Sequence, residues 1–269
     1  MRIVTFNLLA QSKIKRDCFP KASRDTLKWA HRRVMLFDMI TRFKADICAL
    51  QEVDFYQVHW SEFMGKSFHS CEFAEKSGKS NEGLLTGWSG NVKMLEYQTV
   101  DLSPTMQSLI DAGAKGNIAQ MFLFKQVSHD HHHKFVFINT HLYWAPGHDS
   151  LRRDQVAYLV KIYQEKYFDL PLVLAGDLNS DPQSECCLYL QSLGCMSLCR
   201  NLPFTVYCPG VFVDTLDYIW LYTGNQSSPS FKEIVLVDAE KVISDEEGGI
   251  PNIAHPSDHL PIGAEILHF

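Results

Sequence analysis

The sequence predicts an α/β domain, and three observations carry that prediction. Eight short runs rich in Val, Ile, Leu and Phe read as buried strands: Ile3–Phe6, Ile47–Leu50, Met121–Phe124, Phe135–Ile138, Leu172–Ala175, Tyr218–Leu221, Ile234–Val237 and Ile262–Ile266. Two segments between them carry apolar residues at helical spacing. Polar residues able to bind metal or move protons stand repeatedly at the ends of the apolar runs, where open sheets place their sites.

In the first helical segment Ala30, Val34, Phe37 and Ile40 recur on one face; in the second, Val156, Leu159, Val160, Tyr163 and Tyr167 do, with Arg152, Lys161 and Glu165 elsewhere on the surface. Each is expected to lay one face on a sheet. For Arg24, Arg32, Arg33, Arg152 and Arg153 a solvated helix face is the expectation, ahead of phosphate contact. The histidine-rich segment 128–133 reads as a solvated hairpin loop, because nothing beside it in sequence would fix histidine rings around a metal.

With 269 residues, 46% of them apolar, the chain can bury a core. It shows no internal repeat or low-complexity linker, and its Pro/Gly-rich stretches at 203–210 and 248–256 are too short to separate units, so one catalytic domain over 1–269 is expected. No run of about eighteen uncharged apolar residues is present, and the first six residues read as a strand instead of a secretory leader. A soluble, cytoplasmic or nuclear protein without a membrane partner is expected. The eight cysteines lack CxxC pairs, which favours reduced, mostly buried thiols. A formal charge of −6 argues against a protein that coats polyanions. It does not exclude a nuclease, because carboxylates gathered around divalent cations accompany phosphate chemistry.

The polar residues at the run ends are Asn7 after RIVTF, Glu52 after ICALQ, His141 after FVFINT, Asp177 and Asn179 after LVLAG, Asp217 before YIWLY, and Asp258 and His259 before LPIGAEI. Any one alone is a turn or cap residue; the whole set in one chain points to chemistry. Displacement at phosphorus builds charge on the attacking, leaving and non-bridging oxygens, which a metal, an imidazole and amide donors can stabilise.

In this order, Gln51-Glu52, NTHL, GDLNS, LDYI and SDH resemble the endonuclease/exonuclease/phosphatase superfamily, from Asn7 to His259. NTHLYWAP, the segment WAHRR at 29–33 and PSDH preceded by His255 resemble its branch of RNA 3′-end deadenylases, nocturnin, Angel proteins and the 2′-phosphodiesterase. The resemblance implies a four-layer α/β/β/α sandwich of two mostly antiparallel sheets. By motif position it makes Glu52 the principal Mg²⁺ ligand, with Mn²⁺ able to substitute, Asn7 its polar companion and Asp258 part of the metal shell. Asp177, beside Asn179, would orient or deprotonate the attacking water, with a second metal there. His259 would bind a phosphoryl oxygen with Asp217 holding its ring, and His141 would contact the phosphate.

Pro146 and Phe212 would hold the terminal base, with Trp144 nearby. In the repair-endonuclease branch a carboxylate follows the first Asn by two residues, whereas here Leu9 stands there, so one metal site at Glu52 is the primary expectation. The resemblance implies a 3′-to-5′ exoribonuclease acting on adenine-rich RNA or oligoadenylate. The alternative is a phosphatase or phosphodiesterase for a small nucleotide, such as the 2′-phosphate of NADPH, or for RNA 2′,3′-cyclic phosphate ends. A non-catalytic binding module is disfavoured, because a pseudoenzyme would have lost at least one of these residues. The chain begins almost at its first catalytic strand, leaving no room for a scaffold-docking repeat module, so a stand-alone or trimmed enzyme is expected; a monomer is expected as well.

Overall fold

The computed structural model describes the chain except for residues 77–81, 112, 114–115, 128–132, 200–201, 209–211, 225–228 and 244–248. In chain order the strands are β1 (Arg2–Asn7), β2 (Ile47–Asp54), β3 (Ser70–Glu75), β4 (Glu82–Trp88), β5 (Val92–Asp101), β6 (Ile118–Gln126), β7 (Lys134–His141), β8 (Leu172–Asp177), β9 (Met196–Ser197), β10 (Val206–Cys208), β11 (Phe212–Asp214), β12 (Asp217–Tyr222), β13 (Ser230–Ile234) and β14 (Ile262–His268). They form one sheet in the order β13-β14-β1-β2-β4-β3, a second in the order β5-β6-β7-β8-β12-β9, and the hairpin β10-β11. Pairing is antiparallel except between β1 and β2 and between β7 and β8.

Alternation along the strands decides which side chains meet. Ile3 of β1, Ile47 and Ala49 of β2, Phe135 and Phe137 of β7, Val173 and Ala175 of β8, and Ile219 and Leu221 of β12 fill the layer between the sheets. The alternate residues Val4, Phe6, Cys48 and Leu50 face outward under the helix Trp29–Phe43. On the second sheet, Val136, Ile138, Leu172 and Leu174 lie under the helices Asp149–Tyr167 and Glu185–Ser192. The result is the expected sandwich of two mixed sheets flanked by helices.

Three local expectations are corrected. The run Ile234–Val237 is not a strand: β13 ends at Ile234, and Leu236 and Val237 pack from the following loop against the outer layer. The helix Trp29–Phe43 buries Arg32, Leu36, Met39, Ile40 and Phe43, leaving Ala30 and Val34 exposed. Arg32 and Arg152 are buried, not solvated, because each guanidinium satisfies loop carbonyls in place of water. On the second helix Val156, Leu159, Val160, Tyr163 and Tyr167 all pack inward as expected. All eight cysteines are free, and four of them are buried. The segment 128–133 lies, but for His133, outside the described residues.

Candidate active site

The inward-facing rows end in polar residues at one edge of the sandwich. Two steps beyond Thr5, Asn7 closes β1; two beyond Asn139, His141 closes β7; two beyond Ala175, Asp177 closes β8; two before Ile219, Asp217 opens β12. The ladder aligns them, since His141 is registered with Asp177 and Asp177 with Asp217. A row that is apolar deep in the core thus becomes a row of ionisable groups at the rim.

A polar tie beneath this rim sets the spacing of the two sheets. The carboxamide of Gln51 donates to Asn139 Oδ1 at 2.8 Å and to Thr5 Oγ1 at 2.9 Å, and Asn139 donates to Thr86 Oγ1 at 3.1 Å and Gln120 Oε1 at 3.2 Å. The Asn of NTHL and the Gln before Glu52 therefore hold the sheets and do not face substrate. Gly176 of GDLNS, at φ +142°, lies where a Cβ would fall 1.9 Å from the Thr140 carbonyl oxygen, so only glycine lets β8 come this close to β7.

Around Asp177 the contacts are short. Asn7 Nδ2 donates to Asp177 Oδ2 at 2.9 Å, and the backbone N–H of Asn179 donates to Oδ1 at 2.9 Å. His141 Nε2 and His259 Nε2 approach Oδ2 at 3.6 and 3.8 Å. Burial, then the neighbouring Asp217, pushes the Asp177 carboxyl up, which suits a group that exchanges a proton with water. Asp217 Oδ2 lies 2.8 Å from His259 Nδ1. Burial opposes a charge on His259, but Asp217 outweighs it and holds the ring well above the ordinary imidazole range, as an imidazolium. His141 behaves oppositely: burial, then the Lys76 ammonium 3.3 Å from its Nδ1, pushes it well down, leaving a neutral ring. Its Nδ1 accepts from Lys76, so its proton sits on Nε2.

Glu52 lies on the other side of the cleft, within β2 instead of beyond it. It occupies the irregularity between Leu50 and Val53 with φ +56°, a left-handed conformation that turns its carboxylate out of the ladder. Oε2 accepts from the Ala10 N–H at 3.0 Å, and Oε1 lies 3.1 Å from Lys13 Nζ. Burial favours the neutral acid, yet the Lys13 ammonium and the Ala10 N–H hold Glu52 below the usual carboxylate range. An ionised, two-oxygen ligand already drawing a cation is what a hard divalent ion requires.

The Asn7 amide is committed to Asp177 and to the Leu9 N–H at 3.1 Å, and no hydrogen bond from Asn7 to Glu52 is present among the described residues. Asp177, Asp217 and His259 bring three potential ligand atoms within 4.8 Å of one another, a buried grouping that could hold a cation. Asp258 is half-buried beside Ser257, with burial raising its carboxyl. Asn179 Nδ2 donates to the Leu142 carbonyl at 3.1 Å. Pro146 and Trp144 are exposed after β7, and Phe212, 43% exposed, opens β11.

Sequence reasoning missed Lys13, which reaches the cleft from the turn after β1, Lys76 and Glu82, which enter through the strand order β2-β4-β3, and Arg32, which looked like surface. Arg32 donates to the carbonyls of Leu8 and Leu9 and to that of Pro256 at 2.6 Å, fastening the loop after Asn7 to the loop before Asp258. Burial pushes its pKa down to about 10, so it remains charged at neutral pH. Replacing it with Met should lower stability by about 3 kcal/mol or more, since several buried carbonyls lose charged-donor bonds worth roughly 1.5–3 kcal/mol each. Urea unfolding measures this, and a loss below about 1 kcal/mol would remove the assigned role.

Paired carboxylates and imidazoles at the mouth of a two-sheet sandwich, with buried ammonium groups beside them, define a class: hydrolases of phosphate esters. The chain belongs to the Endonuclease/Exonuclease/phosphatase family, whose profile matches residues 4–259. It is 24% identical to carbon catabolite repressor protein 4 homolog 4 of Arabidopsis thaliana, over 98% of this chain and 76% of that one. It is 30% identical to the probable RNA exonuclease NGL3 of Saccharomyces cerevisiae, over 68% of this chain and 38% of that one. To the CCR4-Not complex 3′-5′-exoribonuclease subunit Ccr4 of Aspergillus niger it is 25% identical, over 98% and 51%. The chain thus spans about four-tenths to one half of the last two relatives' length.

Among solved structures, ANGEL2, described as a 2′,3′-cyclic phosphatase, superposes with a TM-score of 0.83 at 18% identity, covering 98% of this chain and 94% of that one. The human Nocturnin catalytic domain does so at 0.72 and 21% identity, covering 99% and 93%. These likenesses establish the fold, and the chain is a hydrolytic enzyme of this family. Among the described residues no helix is long and apolar enough to cross a membrane.

Proposed function

We propose that this chain is a divalent-metal-dependent phosphodiesterase that removes nucleotides from the 3′ end of adenine-rich RNA, acting as a single catalytic domain. The observation that carries the reading is the registered row His141, Asp177 and Asp217, with His259 closing on Asp177 from one side and Glu52 facing the cleft from the other. Names of relatives describing RNA exonucleases support the substrate class.

Glu52 would hold Mg²⁺, or Mn²⁺ in its place, and a second ion could sit on Asp177; such an ion would supply Lewis-acid stabilisation of charge on the phosphoryl oxygens. The chain's own groups do the rest. Asp177, kept near proton-exchange range and fixed by Asn7 and the Asn179 N–H, orients the attacking water and takes its proton. His259, charged through Asp217, donates to a phosphoryl oxygen, and neutral His141 offers its Nε2–H to the same group. Lys76 adds positive charge behind His141.

The test is cleavage of A-tailed RNA, U-tailed RNA, cyclic-phosphate RNA, NADPH and a nitrophenyl phosphodiester by wild type and Phe212→Ala. With wild type, A-tailed RNA should be shortened from its 3′ end in preference to the rest. A base stacked on an aromatic face contributes roughly 1–3 kcal/mol, so Phe212→Ala should lower kcat/KM on RNA by about one to two decades. The nitrophenyl ester should be unaffected. Preference for NADPH or cyclic-phosphate RNA, or an equal loss on all substrates, would overturn the RNA reading.

A further inference from the structure

Glu82 opens β4, registered with Asp54 of β2, and faces the same inter-sheet side as Thr86 and Trp88. Its side chain is buried, although no helix end or turn requires a carboxylate there. Two lysines flank it. Lys13 Nζ lies 2.6 Å from Glu82 Oε2 and 3.1 Å from Glu52 Oε1, so carboxylates from two adjacent strands converge on one cation position. The other Glu82 oxygen faces Lys76 at 3.6 Å.

The three groups differ in how firmly they are held. Glu52 and Glu82 sit on strands at the base of the cleft, while Lys13 ends a short 3₁₀ turn, Gln11–Lys13, with 41% of its side chain exposed. Leu9 is packed with Phe19, Ala22 and Leu27 and supplies no ligand from the first motif.

We propose that Glu82 is the second protein carboxylate of the metal position built on Glu52, and that Lys13 competes with the divalent cation for that position. The proposal rests on the reading of Glu52 as a metal ligand. A divalent ion gains two carboxylates at once and must expel one ammonium, so the observed metal affinity is the difference between the two. Lys13 then sets the metal concentration at which the enzyme loads.

Calorimetric titration of Mn²⁺ into the protein without substrate tests this independently of activity. Lys13→Met should bind Mn²⁺ about tenfold more tightly, and Glu82→Gln about tenfold or more weakly, within the range that metal-site substitutions produce. In the Lys13→Met background Glu82→Gln should still weaken binding. If that weakening disappears, Glu82 is only the resting partner of Lys13 and the assignment is overturned. If Lys13→Met binds no more tightly than wild type, the competition is overturned. Glu82→Asp, which keeps the charge but retracts it, should fall between wild type and Gln and covers the case in which Gln unfolds the edge of β4. Glu52→Gln should abolish this binding; wild-type binding by that variant would instead sink the reading of Glu52 itself.

Discussion

Glu52→Gln is expected to lower kcat by about three orders of magnitude or more, corresponding to roughly 4 kcal/mol of lost transition-state stabilisation. The substitution preserves shape. Gln can still accept from the Ala10 N–H and occupy the irregular position between Leu50 and Val53, so the backbone at φ +56° need not move. What disappears is one negative charge facing the cleft, and with it the anchor for a cation. Folding should be little affected, because Glu52 fills none of the core clusters and Lys13 keeps Glu82 as a counterion. The discriminating measurement is kcat with excess Mg²⁺ alongside a thermal melt. Activity within a factor of about ten of wild type, with an unchanged melting temperature, would show that Glu52 holds no catalytic metal. Wild type treated with EDTA should reproduce the loss and recover when Mg²⁺ is restored.

Much of the fold was legible because central strands of a sandwich are covered on both faces. FVFI of β7 and LVLA of β8 read as continuous apolar runs for that reason. β4 was not legible. Its sequence EGLLTGW carries two glycines, one where a Cβ would strike the Ala74 carbonyl and one under Met64 and Phe68, and both contacts come from residues distant in sequence. The edge strand β5 was also hidden, since VKMLEYQTVD shows water a largely polar face. The helix face at 29–43 was misread because Arg32 counts as polar in any periodicity, while its guanidinium is buried by carbonyls of two loops.

The site followed the same division. Asn7, His141, Asp177 and Asp217 could be picked out because they continue the two-residue alternation of buried strands by one step. Lys13, Lys76 and Glu82 could not, because their meeting depends on β2, β4 and β3 lying side by side. Nothing local in a lysine thirteen residues from the start, or in a glutamate before a glycine, reports that neighbourhood.

Asp217→Asn should lose much of what His259→Ala loses, about a hundredfold or more in kcat/KM, and the double variant should lose little beyond the worse single one. The geometry makes the two residues one unit: Asp217 Oδ2 is 2.8 Å from His259 Nδ1, and the opposite ring nitrogen points toward Asp177 at 3.8 Å. If the carboxylate acts only by fixing and charging the ring, it contributes nothing once the ring is gone. The pH dependence gives a second readout that a purely structural role would not move. His259 is raised above the ordinary imidazole range, so its active cationic form is present at lower pH and is lost as pH rises through that value. Asp217→Asn removes the main cause of the rise, and the high-pH limb of kcat/KM should therefore shift to lower pH. Asp177, still near the ring, raises it only in part, so the shift should be visible without abolishing the limb. Multiplying losses in the double variant, together with an unmoved limb in Asp217→Asn, would mean that Asp217 serves substrate or metal directly and that His259 draws its charge from elsewhere.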